Sequence, residues 1–264
     1  MTMLTVRYLL LSIKSRAEYR VDFLSQIGIG AAWQVSVIIF ATVLIANFPG
    51  MGGWSPGDVL LITAIRMTGH ALAVAFFIGM REMVSMVQDA KIDVFLLRPL
   101  PVYRQALMNH FHVPVLGDLA VAFLIFGVTF SQVTVEWSPG RIVYLVLALG
   151  GAMFLEAAVQ TFLGGFALRA VSTGQWQEWA EELMSTFGSY PQHIFPGLAR
   201  AIFTFLLPIA FAGYLPAAVL TGHADELPLP AWMAVAAPGI NLLLFLVARR
   251  WWNWRLSRYE SVGG

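Results

Sequence analysis

The chain has no cysteine in 264 residues, only two lysines, and a charged share of 12%, about half that of an ordinary soluble domain. Each shortage excludes something. Without cysteine there is no disulfide framework, no thiolate nucleophile and no sulfur-ligated metal. The two lysines, Lys14 and Lys91, follow Ile13 and Ala90, so no Gly-Lys precedes Ser or Thr as a phosphate-binding loop requires. A nucleotide would therefore have to be handled by another polypeptide. Neither His-Glu-x-x-His nor Gly-x-Ser-x-Gly occurs, and His110 and His112, two apart on a helix, point in different directions. No catalytic residues and no metal site are expected.

What is abundant is apolar surface. Hydrophobic residues make up 58% of the chain and the mean hydropathy is +0.72, which defines an integral membrane protein. A helix needs roughly 20 apolar residues to cross the hydrocarbon core, and spans are expected at 24–47, 56–80, 113–132, 141–168 and 231–250. A sixth must come from 172–220. Two choices stay open there: 174–192, polar at its start, or 197–220, apolar but interrupted by Pro208 and Pro216. If 174–192 crosses, 193–222 dips into the outer leaflet as a re-entrant segment.

Orientation follows from the basic residues of short loops. With the N-terminus inside, 13 of the 16 Lys and Arg lie on the inner side; Arg141, and Arg200 if 174–192 crosses, lie outside, and Arg66 falls within a span. N-in and C-in is the expected topology. Residues 1–22 form an interfacial helix, with Arg7, Lys14 and Glu18 on one face and Leu9, Leu10, Ile13 and Ala17 largely on another. Its short apolar core and the absence of a small-residue cleavage site lead us to expect that it is retained. No second soluble domain, low-complexity tract or inverted repeat is visible, so 1–264 is treated as a single transmembrane domain.

The inner loop 81–110 contains QDAKIDVFLLRPLPVYRQALMN. Met83, Val87, Ala90, Val94 and Leu97 form an apolar stripe at helical spacing, while Glu82, Asp89 and Asp93 fall away from it. Arg98 before Pro99 leaves the helical region, and Pro101 starts the next helix. A solvated connector and a rigid element presented to a soluble partner both fit this pattern. Within the spans, Arg66 and His70 share a face at i, i+4, and roughly 1.5 Å per residue places His70 and Glu156 at matched depths of about 20 and 22 Å from the outer side. These three are expected to be an intramembrane polar cluster, structural or on a transport pathway. Gly28 with Ala32 and Gly150 with Gly151 read as helix-packing positions. Trp251, Trp252 and Trp254 beside Arg249 and Arg250 read as an interfacial belt.

Two stretches carry a resemblance. KIDVFLLRPLP (91–101) resembles the G-E-(L/I)-D-x-x-L-L-R-P-L-P stretch of bacterial ABC exporter permeases of the type-2 class, grouped with drug and viologen exporters. YPQHIFPGLARAIFTFLLPIAFAGYLPA (190–217) is similar to the later Y-P-x-x-I-(F/Y)-P-G region of the same family, and EYRVDFL (18–24) to its N-terminal helix. The resemblance implies an all-α membrane protein of six transmembrane helices, with an N-terminal interfacial helix, a cytoplasmic coupling helix between spans 2 and 3, and a re-entrant outer segment before the last span. It implies that Asp89, Lys91, Asp93, Arg98, Pro99 and Pro101 couple to an ATPase, and that Tyr190, Pro191, Pro196, Gly197, Pro208 and Pro216 shape the outer segment. The partners it implies are two ABC ATPase subunits, which bind ATP and Mg, and a second permease, identical or related. The setting is the bacterial inner membrane and no nucleic acid is involved. Where the family has Gly-Glu this chain has Ala90-Lys91, which leads us to expect continuous helix in place of a local break. An ion- or proton-coupled secondary transporter using Arg66, His70 and Glu156 is the rival function.

Overall fold

Ser55 and Asp58 start the second long helix with a reciprocal cap: each side chain accepts from the other's backbone N–H, satisfying two donors that the first turn leaves open. Ser138 caps another without the return bond, accepting from Arg141 N. The computed structural model describes residues 19–47, 53–109 and 112–261. The interfacial helix expected at 1–22 and His110 fall mostly outside these residues. All regular structure among them is helical: α1 (Arg20–Asn47), α2 (Pro56–Arg81), α3 (Met83–Gln88), α4 (Lys91–Leu96), α5 (Val102–Met108), α6 (Val115–Gln132), α7 (Pro139–Ala167), α8 (Gly174–Phe187), α9 (Gly197–Ala201), α10 (Tyr214–Thr221) and α11 (Ala231–Leu256).

Four segments among the described residues are long and apolar enough to cross a membrane: Pro56–Gln88, Val115–Gln132, Pro139–Ala167 and Ala231–Leu256. Helix α1, at 28 residues, has the length to cross as well. The long helices pack in the order α11, α7, α2, α6, α1. Small residues set the spacing. A Cβ on Gly69 would collide with Ala152 between α2 and α7, and one on Gly151 would lie 2.7 Å from Cα of Pro238, the proline inside α11. Gly30 and Gly117 serve α1 and α6 similarly. The expectation for Gly28 and Gly150 needs correction, since nothing within 4 Å faces either; each is one or two residues off the packed stripe.

Residues 188–222 are not one helix. Helix α9 runs into a π-helical turn (Ile202–Leu206), the chain extends at Leu207 and Pro208, and short turns lead to α10. Backbone freed in this way must find partners when water is absent, and side chains supply them. Thr63 donates to Ser189 O, Gln192 to Phe187 O and Tyr190 O, Arg200 to His193 O and Phe195 O, and Asn241 to Phe211 O. Prolines 191, 196 and 208 fall at the turns themselves.

Beyond α3, helix does not run on through Ala90. Its φ of 53° and ψ of 21° are left-handed, so α3 and α4 are separate helices and the break persists without glycine. This corrects the stripe as well: Met83 and Val87 are buried, but after the break the buried positions are Ile92 and Phe95, while Val94 and Leu97 face out. A Cβ in the left-handed region costs about 1 kcal/mol, and Ala90→Gly is accordingly expected to raise stability by about 0.5–1 kcal/mol in equilibrium denaturation. A decrease would mean that the left-handed turn does not form.

Candidate functional site

The C-terminal ends of α2, α7 and α11 close with α3, α4 and α5 on a second core of Met80, Met83, Met86, Ile92, Phe95, Tyr103 and Trp252. Trp252 is fully buried against the Tyr103 ring, with centroids 5.1 Å apart, so it belongs to this core and not to an interfacial belt. The Tyr103 hydroxyl lies 2.9 Å from Thr161 Oγ1 and the Arg249 guanidinium sits 3.6 Å above its ring; burial pushes the phenol up to about 12, so it stays neutral. Gln105 donates to Phe95 O and Leu100 O, tying the turn at Pro99 to α5. On this base the tip projects outward: Leu97 is 87% exposed, and Leu96, Leu100 and Val94 are each close to half exposed. Among the charges, Lys91 pairs with Asp89 at 2.9 Å, Asp93 accepts from Ser261 Oγ at 3.0 Å, and Arg98 lies 5.8 Å from the Phe95 ring. Pro99 sits in the turn and Pro101 caps α5. The sequence singled out the charges; the exposed leucines emerge only once Ala90 breaks the helix.

Deeper in the bundle, His70 Nδ1 lies 3.0 Å from both carboxylate oxygens of Glu156, joining α2 to α7. Arg66, one turn away, does not join them: it is 3% exposed, has no carboxylate within 4 Å among the described residues, and its Nε has no hydrogen-bond partner. It is packed between Gly188 and Gly213, where added Cβ atoms would lie 2.9 and 3.4 Å from its side chain. Toward the inner end Arg81 and Glu181 pair at 2.7 Å, and Gln177 donates to Met80 O at 2.8 Å, seating α8 on α2.

These groups border a cavity of about 570 Å³ lined by Arg66, His70 and Arg81 of α2, Trp33 and Ser36 of α1, and Glu178, Glu181, Glu182, Ser185 and Thr186 of α8, with Tyr190. The α8 acids were missed from sequence. The available signal was Glu178, Glu181 and Glu182 at i, i+3 and i+4, one face of a helix, in a segment whose polarity was visible.

A bundle of long apolar helices beside a cavity lined by charged side chains has the architecture of a multi-pass membrane protein. The family model for ABC-2 family transporter proteins matches residues 31–263, and the chain belongs to that family. No curated protein and no solved structure matches it.

Proposed function

We infer that the chain is the permease subunit of an ABC exporter, moving a small amphiphilic molecule outward by alternating access while a separate ATPase, holding ATP and Mg, supplies the work. The observation that carries this reading is the tip at 91–100, an exposed leucine surface on a buried, rigid base. A solvated connector has no reason to expose leucine at the end of a short helix that its own core fixes in place. The proposed topology has six crossings, N-in and C-in: α1, α2 with α3, α6, α7, α8, and α11. Helix α8 has only 14 residues, about 21 Å, and needs the chain through 192 to complete its crossing; 193–222 is then re-entrant on the outer side. Two permeases and two ATPases form the working unit in a bacterial inner membrane.

The His70–Glu156 pair is the one observation that favours the rival, a proton-coupled carrier; it leaves the leucine tip unexplained. Co-expression with an ABC ATPase is expected to give a stable complex that hydrolyses ATP, with no hydrolysis by the chain alone. Because the chain lacks cysteine, single cysteines at 93 and 136 are expected to react with an impermeant reagent from inside and outside, respectively. Hydrolysis by the isolated chain, or labelling of 93 in intact cells, would refute the reading.

A further inference from the structure

The cavity beside α8 has two ends of opposite charge, and neither end is closed by a contact ion pair among the described residues. At the outer end is Arg66, nine-tenths buried, its Nε unbonded, with no counter-ion within 4 Å among the described residues. A guanidinium in a membrane span without a contact ion pair is costly; Glu156 and Glu181 offset part of that cost at longer range, and neither hydrogen-bonds it. At the inner end Arg81 is taken by Glu181, which leaves Glu178 and Glu182, a turn apart on α8, exposed at the open rim of the cavity they line, with no cation within 4 Å among the described residues. Two like charges at i, i+4 oppose helix formation. Gly188 abuts Arg66, and Glu182 is six residues back along α8, so the two poles are about 9 Å apart along the helix axis, with side chains reaching in from both. Trp33 also lines this space.

We propose that this cavity binds a zwitterionic amphiphile, its anionic group on Arg66 and its ammonium group between Glu178, Glu182 and the Trp33 ring. The proposal rests on the transporter reading and names the class of cargo for it. A phosphodiester or carboxylate matches the planar donor fork of a guanidinium. A quaternary or primary ammonium suits carboxylates and an indole face. A purely cationic amphiphile leaves Arg66 unpaired and adds a like charge to its cavity; a purely anionic one does the same to the α8 acids. Only a molecule with both signs satisfies both ends, and the alkyl chain has the surrounding lipid to lie in.

The probes are octyl phosphocholine, octyl trimethylammonium and octyl phosphate, each below its critical micelle concentration. They are titrated calorimetrically into the permease with its ATPase in phosphatidylglycerol nanodiscs. Octyl phosphocholine is expected to bind at least tenfold more tightly than either single-charge probe. Arg66→Gln is expected to erase that preference over octyl trimethylammonium and Arg66→Lys to retain part of it, whereas Glu178→Gln with Glu182→Gln shifts preference toward octyl phosphate. Equal or tighter binding of octyl trimethylammonium or octyl phosphate by the unsubstituted protein overturns the proposal, and that comparison stands even if the Arg66 variants do not fold. Adding phosphatidylethanolamine to the disc separates two sources: competition identifies the bilayer's own zwitterionic lipid as occupant, and its absence identifies a free amphiphile, the site being upheld in both. Failure of the ATPase to co-purify would sink the transporter reading while leaving the calorimetric preference to be read on its own.

Discussion

Leu97→Asp is expected to strip the ATPase from the permease, lowering their affinity at least 100-fold while the permease still inserts and folds. Leu97 is 87% exposed at the end of α4, with Leu96 and Leu100 beside it at 50% each. Docking that removes such a side chain from water contributes about 2–3 kcal/mol. An aspartate forfeits this and adds the cost of desolvating a charge, and about 3 kcal/mol is already more than 100-fold in Kd. Folding should be indifferent, because Leu97 touches no core: the anchors are Ile92, 0% exposed, and Phe95, 6% exposed. Leu97→Ala keeps the surface apolar but smaller and should lose less. The check is co-purification from membranes together with ATP hydrolysis by the recovered complex. Full recovery with Leu97→Asp would make the tip a connector. Asp93 is the weaker probe, because its carboxylate already accepts from Ser261.

Glu156→Leu is expected to cost about 3 kcal/mol, the second large effect. Removing one partner of a buried pair leaves the other unsatisfied, which typically costs 3–5 kcal/mol; His70 can shed its charge, so the lower end applies. Glu156→Gln keeps a hydrogen-bond acceptor for the ring and should cost only about 1 kcal/mol. Combining Glu156→Leu with His70→Leu should recover much of the loss, since two apolar groups replace two polar ones in lipid-like surroundings. Denaturant unfolding of the detergent-solubilised protein reads all three. Additive losses in the double variant would show that the 3.0 Å contact contributes no coupling.

The long helices were legible for a simple reason: lipid demands a run of apolar residues whose length is fixed by bilayer thickness, and that demand is local in sequence. The helix starts at Ser55 and Ser138 also rest on local contacts, since a cap involves residues three apart, but they emerged only from the structure. Depth along a helix is also arithmetic, and it put His70 and Glu156 level before their contact was known. The errors are of another kind. A stripe drawn through Met83, Val87, Ala90, Val94 and Leu97 assumed one phase; a single left-handed residue reset it, and the break needed no glycine because α3 and α4 are each pinned from outside by the inner core. Trp252 looked interfacial by its neighbours, yet Tyr103 and the inner end of α7 enclose it.

By itself the sequence determined that this protein is helical and lives in a membrane, because hydropathy acts through each residue's own transfer free energy. Tertiary structure alone decided which polar groups meet and which do not. Glu156 satisfies His70 and Arg81 takes Glu181, while Arg66, only four residues from His70, lines a cavity with no carboxylate within 4 Å among the described residues. Pairing at 3 Å depends on how α2, α7 and α8 are rotated and spaced. That is set by Gly69 against Ala152 and by Gln177 on the end of α2, contacts between residues about 80 to 100 apart in sequence that no local pattern encodes.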